Sequence, residues 1–348
     1  MNICVFSDPH WSQHSSIVRS RGMIYSSRLE NLLRSLNWME ELAWNTHSDL
    51  IVCCGDFFDA SQLNSEEISA LREISWAPIP HVFLAGNHET ALSSLEFNTA
   101  ELFNLCPNVT VISKAGRVLY EEGVELCFLP YVLERDRQPL ETYFPSRETG
   151  YSRILFSHND LKDVQYGQFL STEGFTVDEI ESQFDLCING HIHHCAYVSS
   201  KIINSGNLTG QNFTEDATKF DHCVQIIHTA TMTVDFYENP HAYNFYKLDC
   251  RGSSLDEITC KIESLKSNAV ITVKTDASIA PQVKEWLSTQ PESKIVEFRV
   301  TVEADVSTLI DTSTTFEAVD HLKQFETYVM THVGNSDIIR AELAEVMR

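Results

Sequence analysis

Through its first 110 residues the chain alternates short apolar runs with longer amphipathic ones. Asn2–Ser7, Leu50–Cys54 and His81–Ala85 are apolar and end in polar, Gly- or Asp-containing turns, which predicts buried strands. Ser26–Thr46, Ser65–Trp76 and Leu92–Leu105 carry apolar residues at helical spacing. In the first of these Leu29, Leu32, Leu33, Leu36, Met39 and Leu42 form one face. Strand–helix–strand alternation predicts parallel strands joined by crossover helices. From Val109 the runs close up, and Val109–Ser113, Val118–Tyr120 and Val124–Leu129 read as neighbouring strands. A second alternating stretch follows, with strand Arg153–Ser157, helix Val177–Gln183 and strand Leu186–Asn189. Tyr197–Ser199, His222–His228 and Thr231–Tyr237 read as antiparallel pairs. The expected fold class is α/β, with two sheets face to face and helices outside, in four α/β/β/α layers.

A boundary falls at Pro240–Asp249. Beyond it strand Ala269–Lys274, helix Pro281–Thr289 and strand Lys294–Thr301 predict a small α+β capping domain, and Phe316–Met330 and Asp337–Met347 read as terminal amphipathic helices. The expected division is 1–240, 241–312 and 313–348.

Composition narrows the function classes. Hydrophobic residues at 43% and charged residues at 21% suit a globular chain rather than a disordered one. No apolar run reaches the ~18 residues that cross a bilayer. The start, MNICVFSDPHW, lacks the basic opening and apolar core of a signal peptide. Six of the ten cysteines lie in apolar runs and no CxxC pair occurs. Buried thiols in a reducing compartment, and so a cytoplasmic chain, are expected. A net charge of −24 argues against coating nucleic acid by bulk charge. It leaves room for an enzyme that meets nucleic acid through one patch.

Five short motifs follow apolar runs: Asp8-Pro9-His10, Gly55-Asp56-Phe57-Phe58-Asp59, Gly86-Asn87-His88-Glu89, Ser157-His158 and Gly190-His191-Ile192-His193. Carboxyl ends of strands are where sites assemble in open α/β sheets. Carboxylate, imidazole and amide oxygen are donors for a hard or borderline divalent cation. On an extended segment residues i and i+2 project to one side, so Asp8 with His10, and His191 with His193, are expected to aim at one point each. Seven candidate ligands, Asp8, His10, Asp56, Asn87, His158, His191 and His193, suit two cations sharing a bridging carboxylate. His14, His47, His81, His222, His228, His241, His321 and His332 stand outside the motifs and read as core or surface residues. His194 is expected to point away from the ligands.

The order of these motifs resembles the calcineurin-like metallophosphoesterases. The resemblance implies their α/β/β/α sandwich, with one cation on Asp8, His10, Asp56 and His193 and a second on Asp56, Asn87, His158 and His191. It makes His88 the acid or transition-state donor at the scissile phosphate and counts His10 as catalytic too. Asp59 matches the second acid of the family's GDxxD and reads as a loop-fixing group rather than a ligand. Manganese is the implied cation; magnesium, zinc or iron are chemically acceptable alternatives.

Ser/Thr protein phosphatases share GNHE but place Arg-Gly where this chain has Ala60-Ser61. Asn204–Glu215, with its Gly/Ser pair, polar run and Phe-x-Glu, resembles the SbcD-type double-strand-break repair nucleases, and Ser157–Phe175, with Asn159-Asp160 after the histidine, resembles phage recombination nuclease subunits. The pair is reversed here, as Ser205-Gly206. His10-Trp11-Ser12 replaces the usual His-Leu-Gly, and Glu89 stands where Asp is usual. The resemblance implies phosphodiester hydrolysis in DNA by a two-metal-activated hydroxide. The chain lacks a GxxxxGK[ST] loop; the resemblance implies a separate SbcC-type ATPase subunit and a homodimer, and the terminal segments are candidates either to dock that subunit or to cap this chain's own core. A basic stretch offers Arg19 and Arg21 as DNA phosphate contacts, with Arg28 and Arg34 beside them; a solvated face is the plainer reading. Two other functions stay open, a small-substrate phosphodiesterase or phosphatase and a non-catalytic scaffold on the same fold.

Overall fold

The computed structural model describes residues 1–302 apart from 15–16, 18–23, 92–93, 107, 121–122, 146 and 167–168. The terminal segments Phe316–Met330 and Asp337–Met347 lie outside the described residues, as do Arg19 and Arg21. Met1–Val302 forms one compact unit.

Two six-stranded sheets make its body. The first runs Thr233–Glu238, Cys223–His228, Asn2–Phe6, Leu50–Cys53, His81–Leu84, Val109–Ile112. Its last four strands are parallel and its first two antiparallel. The second runs Ala196–Tyr197, Ile202–Asn204, Leu186–Asn189, Ser152–Ser157, Val124–Leu129, Gly116–Tyr120, with a parallel centre and antiparallel edges.

Alternation along the strands decides the layering. Ile3, Val5, Val52 and Leu84 from one sheet pack on Leu126, Phe128, Ile154 and Ile188 from the other. The opposite faces meet helices. Cys4, Phe6, Ile51, Cys53 and Phe83 pack on Leu29, Leu32, Leu36 and Met39 of helix Ser27–Asn45. On the far side Cys127, Leu129, Leu155 and Cys187 pack on Phe144, Ile180 and Phe184. Strands buried on both faces explain the unbroken apolar runs. The expected four layers are present.

Helix Ser27–Asn45 starts where Ser26 Oγ accepts the Leu29 amide at 3.3 Å. Its buried Glu40 accepts from the Ala77 amide and meets His81 Nε2 at 3.1 Å, so His81 is a core histidine.

One expected helix fails and one strand is unforeseen. Leu92–Leu105 is not one helix. Strands Thr90–Ala91 and Ser94–Asn98 lead into a 3₁₀ turn at Thr99–Leu105. Asn98 caps that turn by accepting the Glu101 amide at 3.2 Å, a side-chain bond that competes with a continuing helix. The boundary Pro240–Asp249 contains a strand, Asn244–Asp249, parallel to Ala269–Thr275, which is parallel to Ile295–Val302. Helices Leu255–Glu263 and Ala280–Ser288 complete this unit. Its own core holds Tyr246, Ile258, Ile271, Val273, Val283 and Leu287. Among the described residues no helix is long and apolar enough to cross a membrane.

Candidate metal centre

Loops leaving parallel strands of both sheets meet at one place. Asp8 follows Asn2–Phe6, Asp56 follows Leu50–Cys53 and Asn87 follows His81–Leu84. His158 follows Ser152–Ser157, and His191 follows Leu186–Asn189. Backbone bonds join the loops: Asp8 N donates to Gly55 O, His10 N to Asp56 O, and Tyr131 N to Ala85 O.

Three groups of donor atoms lie within 4.8 Å of one another: Asp8, His10 and His193; His10, Asp56 and His88; Asp56, His158 and His191. Asn87 joins the last, its Oδ1 being 3.2 Å from His158 Nε2 and 3.0 Å from His191 Nδ1. Asp56 stands between the sets, with Oδ2 3.2 Å from His158 Nε2 and 3.9 Å from His10 Nε2. All seven sequence-predicted ligands are therefore brought together.

They do not converge as an extended segment would bring them. Asp8, His10, Asp56 and His191 have φ of 51, 48, 48 and 73°. Left-handed backbone at such residues costs on the order of 1–3 kcal/mol each and needs a surrounding structure to hold it. Asp8 and His10 meet through this turn, their Oδ1 and Nε2 atoms 3.8 Å apart. His191 and His193 do not share a point: His191 joins Asp56 and His158, while His193 joins Asp8 and His10. The bend at His191 separates them. His194 packs on Phe220 at 5.0 Å, away from these groups. Small residues make the loops fit. A Cβ at Gly86 would lie 2.0 Å from Asp56 Oδ1, and at Gly55, with φ +104°, 2.3 Å from His158 Nδ1.

The electrostatics suit a cation. Asp8 is buried, and its Oδ1 has no hydrogen-bond partner. His10 Nδ1 meets Asp59 Oδ1 at 3.1 Å and His193 Nδ1 meets Glu215 Oε1 at 2.8 Å. With a proton on each Nδ1, the two Nε2 atoms, 3.1 Å apart, turn lone pairs toward each other and Asp8 Oδ1. Burial lowers the His10 pKa, which favours the bare ring. An unpartnered carboxylate oxygen beside two imidazole nitrogens fits a bound divalent ion.

The second set is held from behind by the Cys54 carbonyl, 2.6 Å from His158 Nδ1. Burial lowers the His158 pKa, but the Asp56 charge outweighs it and moves the ring up to about 9. Asp56 is correspondingly driven far below the usual carboxylate range; burial opposes this and the His158 charge overrides it.

Around the donors stand supporting groups. Asp59 touches His10 rather than the converging atoms, and its carbonyl lies 3.0 Å from His88 Nδ1. His88 is 43% exposed at its side chain, so it stands at the rim where a substrate can reach it. Glu89 is fully buried and accepts from the amides of Phe58 and Gly86 at 3.1 and 2.6 Å, tying two ligand loops together. Burial, with the Asp56 charge, pushes its carboxyl up to about 8.

Residues 1–195 match the family model described as calcineurin-like phosphoesterase. The chain belongs to the calcineurin-like phosphoesterase family. The phosphoesterase is also similar to a solved structure, a metallophosphoesterase from Sphaerobacter thermophilus, at 15% identity and a TM-score of 0.30. That likeness covers 68% of this chain and 88% of the other. No curated protein matches.

Three features of the phosphoesterase site escaped the sequence reading. Glu215 was part of a resemblance but had no role. Tyr131, whose ring lies 5.8 Å from His191, carried no spacing signal. Arg28 read with the basic stretch, but it is buried and donates to Pro9 O and Gly210 O at 2.9 and 3.0 Å. It braces the first ligand loop and is unavailable to a DNA phosphate.

Proposed function

We propose that this phosphoesterase is a metal-dependent DNA nuclease, the catalytic subunit of an SbcCD-like recombination and repair complex. The observation that carries the hydrolase reading is the gathering of seven donors in two adjoining sets that share Asp56, with Asp8 Oδ1 left unpartnered. Asp8, His10, Asp56 and His193 would hold one divalent cation, and Asp56, Asn87, His158 and His191 a second, with manganese the expected metal. When bound, such cations polarise the phosphoryl group and lower the pKa of water at the site.

The protein's own part is positioning and proton control. Asp56 stands between both sets and can serve both. His88 is fixed through Nδ1 on the Asp59 carbonyl, which leaves Nε2 to meet the substrate. Protonated, that nitrogen donates to the leaving oxygen as the ester bond breaks. The DNA reading is supported by the Asn204–Glu215 segment, whose likeness to SbcD-type nucleases accompanies a direct contact of Glu215 on His193. A separate ATPase subunit, docked on the segment from residue 313 onward, and a homodimer belong to the same proposal.

Turnover of end-labelled duplex DNA and of bis(p-nitrophenyl) phosphate, measured side by side in Mn2+, tests it. Preferred hydrolysis of DNA is expected. Efficient turnover of the small diester with DNA left intact would instead favour a small-substrate phosphodiesterase.

A further inference from the structure

Glu215 lies outside residues 1–195, which carry the family match, yet it touches the metal centre. It is 2% exposed. One carboxylate oxygen faces His193 Nδ1 at 2.8 Å. The other accepts from the Gln211 amide at 2.7 Å and from Asn207 Nδ2 at 3.1 Å. Asn207 is fixed in turn, its Oδ1 lying 2.8 Å from His222 Nδ1. The next residues are pinned to the three-stranded sheet. Asp216 bridges to Phe245, and Ala217 N donates to Phe245 O at 2.9 Å.

A carboxylate facing Nδ1 requires the neutral ring to carry its proton there. Nε2 is then a bare lone pair, and it points at Asp8 Oδ1 and His10 Nε2, 3.9 and 3.1 Å away. Imidazole ligands backed by a carboxylate are held in orientation and made more basic. We infer that Glu215 is a positioning residue for His193, and that the loop carrying it, fastened to the sheet beyond residue 240, completes the first cation site from outside the family core. The inference rests on the two-cation reading above. No isosteric substitute serves: Glu215→Gln can offer its one carbonyl oxygen either to His193 or to the Gln211 and Asn207 donors, but not to both.

Calorimetric titration of Mn2+ into the metal-free full chain tests this without any substrate. The unsubstituted chain, Glu215→Gln, His193→Ala and the double variant are compared. Glu215→Gln is expected to weaken one of two sites by about 10–100-fold and leave the other unchanged. The double variant should bind no more weakly than His193→Ala, because Glu215 acts only through His193. Unchanged affinity in Glu215→Gln, or losses that multiply in the double variant, would overturn the positioning role. Should Glu215→Gln fail to fold, ring-nitrogen NMR of neutral His193 in the unsubstituted, metal-free chain decides: a proton on Nδ1 supports the inference and one on Nε2 overturns it. An unsubstituted chain that takes up no Mn2+ would sink the metal reading itself, and the inference with it.

Discussion

At the scale of residues, His88 and His158 divide the labour. His88 is exposed at the rim and His158 is buried within the second donor set. His88→Ala should cut hydrolysis by roughly 10²–10⁴-fold, the usual weight of a positioned acid, and leave Mn2+ affinity unaltered. Steady-state kinetics beside calorimetry would show it; undiminished hydrolysis would remove His88 from the chemistry. His158 titrates near 9 in the metal-free protein because Asp56 holds its proton. At pH 7 the ring is therefore protonated, and a cation must expel that proton to use Nε2. Mn2+ affinity should rise with pH up to about 9, and binding at pH 7 should release a proton. Titrations in buffers of different ionisation enthalpy measure the release; heats independent of buffer would contradict it. The gathering of the seven donors was legible, since each motif follows an apolar run. Glu215 was not, because nothing in its spacing says that a loop crosses back to His193.

At the scale of elements, the turns matter more than the strands they join. Gly86 leaves no room for a side chain beside Asp56. Gly86→Ala should displace Asp56 or Asn87 and weaken Mn2+ binding by at least tenfold; a variant that binds and cleaves normally would show that the loop adapts. Helix Leu255–Glu263 lies far along the chain from the donors and has a capping box, with Ser254 and Glu257 each bonding the other's amide. Ser254→Ala should cost about 1 kcal/mol in urea unfolding without touching metal affinity. Parallel strands buried on both faces gave strong apolar runs, so most elements could be read from pattern alone. The helix expected at Leu92–Leu105 failed because Asn98 bonds its local backbone, which periodicity does not register. The strand Asn244–Asp249 reads as part of a boundary because its polar residues Asn244, Lys247 and Asp249 blur the apolar run.

At the scale of the whole molecule, a net charge of −24 sets the terms on which the proposed DNA substrate would be held. Under that proposal phosphate contacts would be local, with part of the phosphate charge neutralised by bound cations. Arg19 and Arg21, with no Asp or Glu between Pro9 and Leu29, are the proposed contacts. Converting both to alanine should weaken DNA binding and lower the salt dependence of log affinity by about two in slope, one per lost contact. An unchanged slope would show that they make no phosphate contact. Arg28 shows why charge runs mislead: the same stretch supplies a buried brace for the Pro9 carbonyl. The central claim, a two-cation centre that hydrolyses DNA, meets its most direct test in one titration. Mn2+ is added stepwise to the metal-free chain and cleavage of end-labelled duplex DNA is followed against equivalents bound. The account predicts no cleavage without metal and full activity only as the second equivalent is taken up. Full activity without metal, or after a single equivalent, would contradict it.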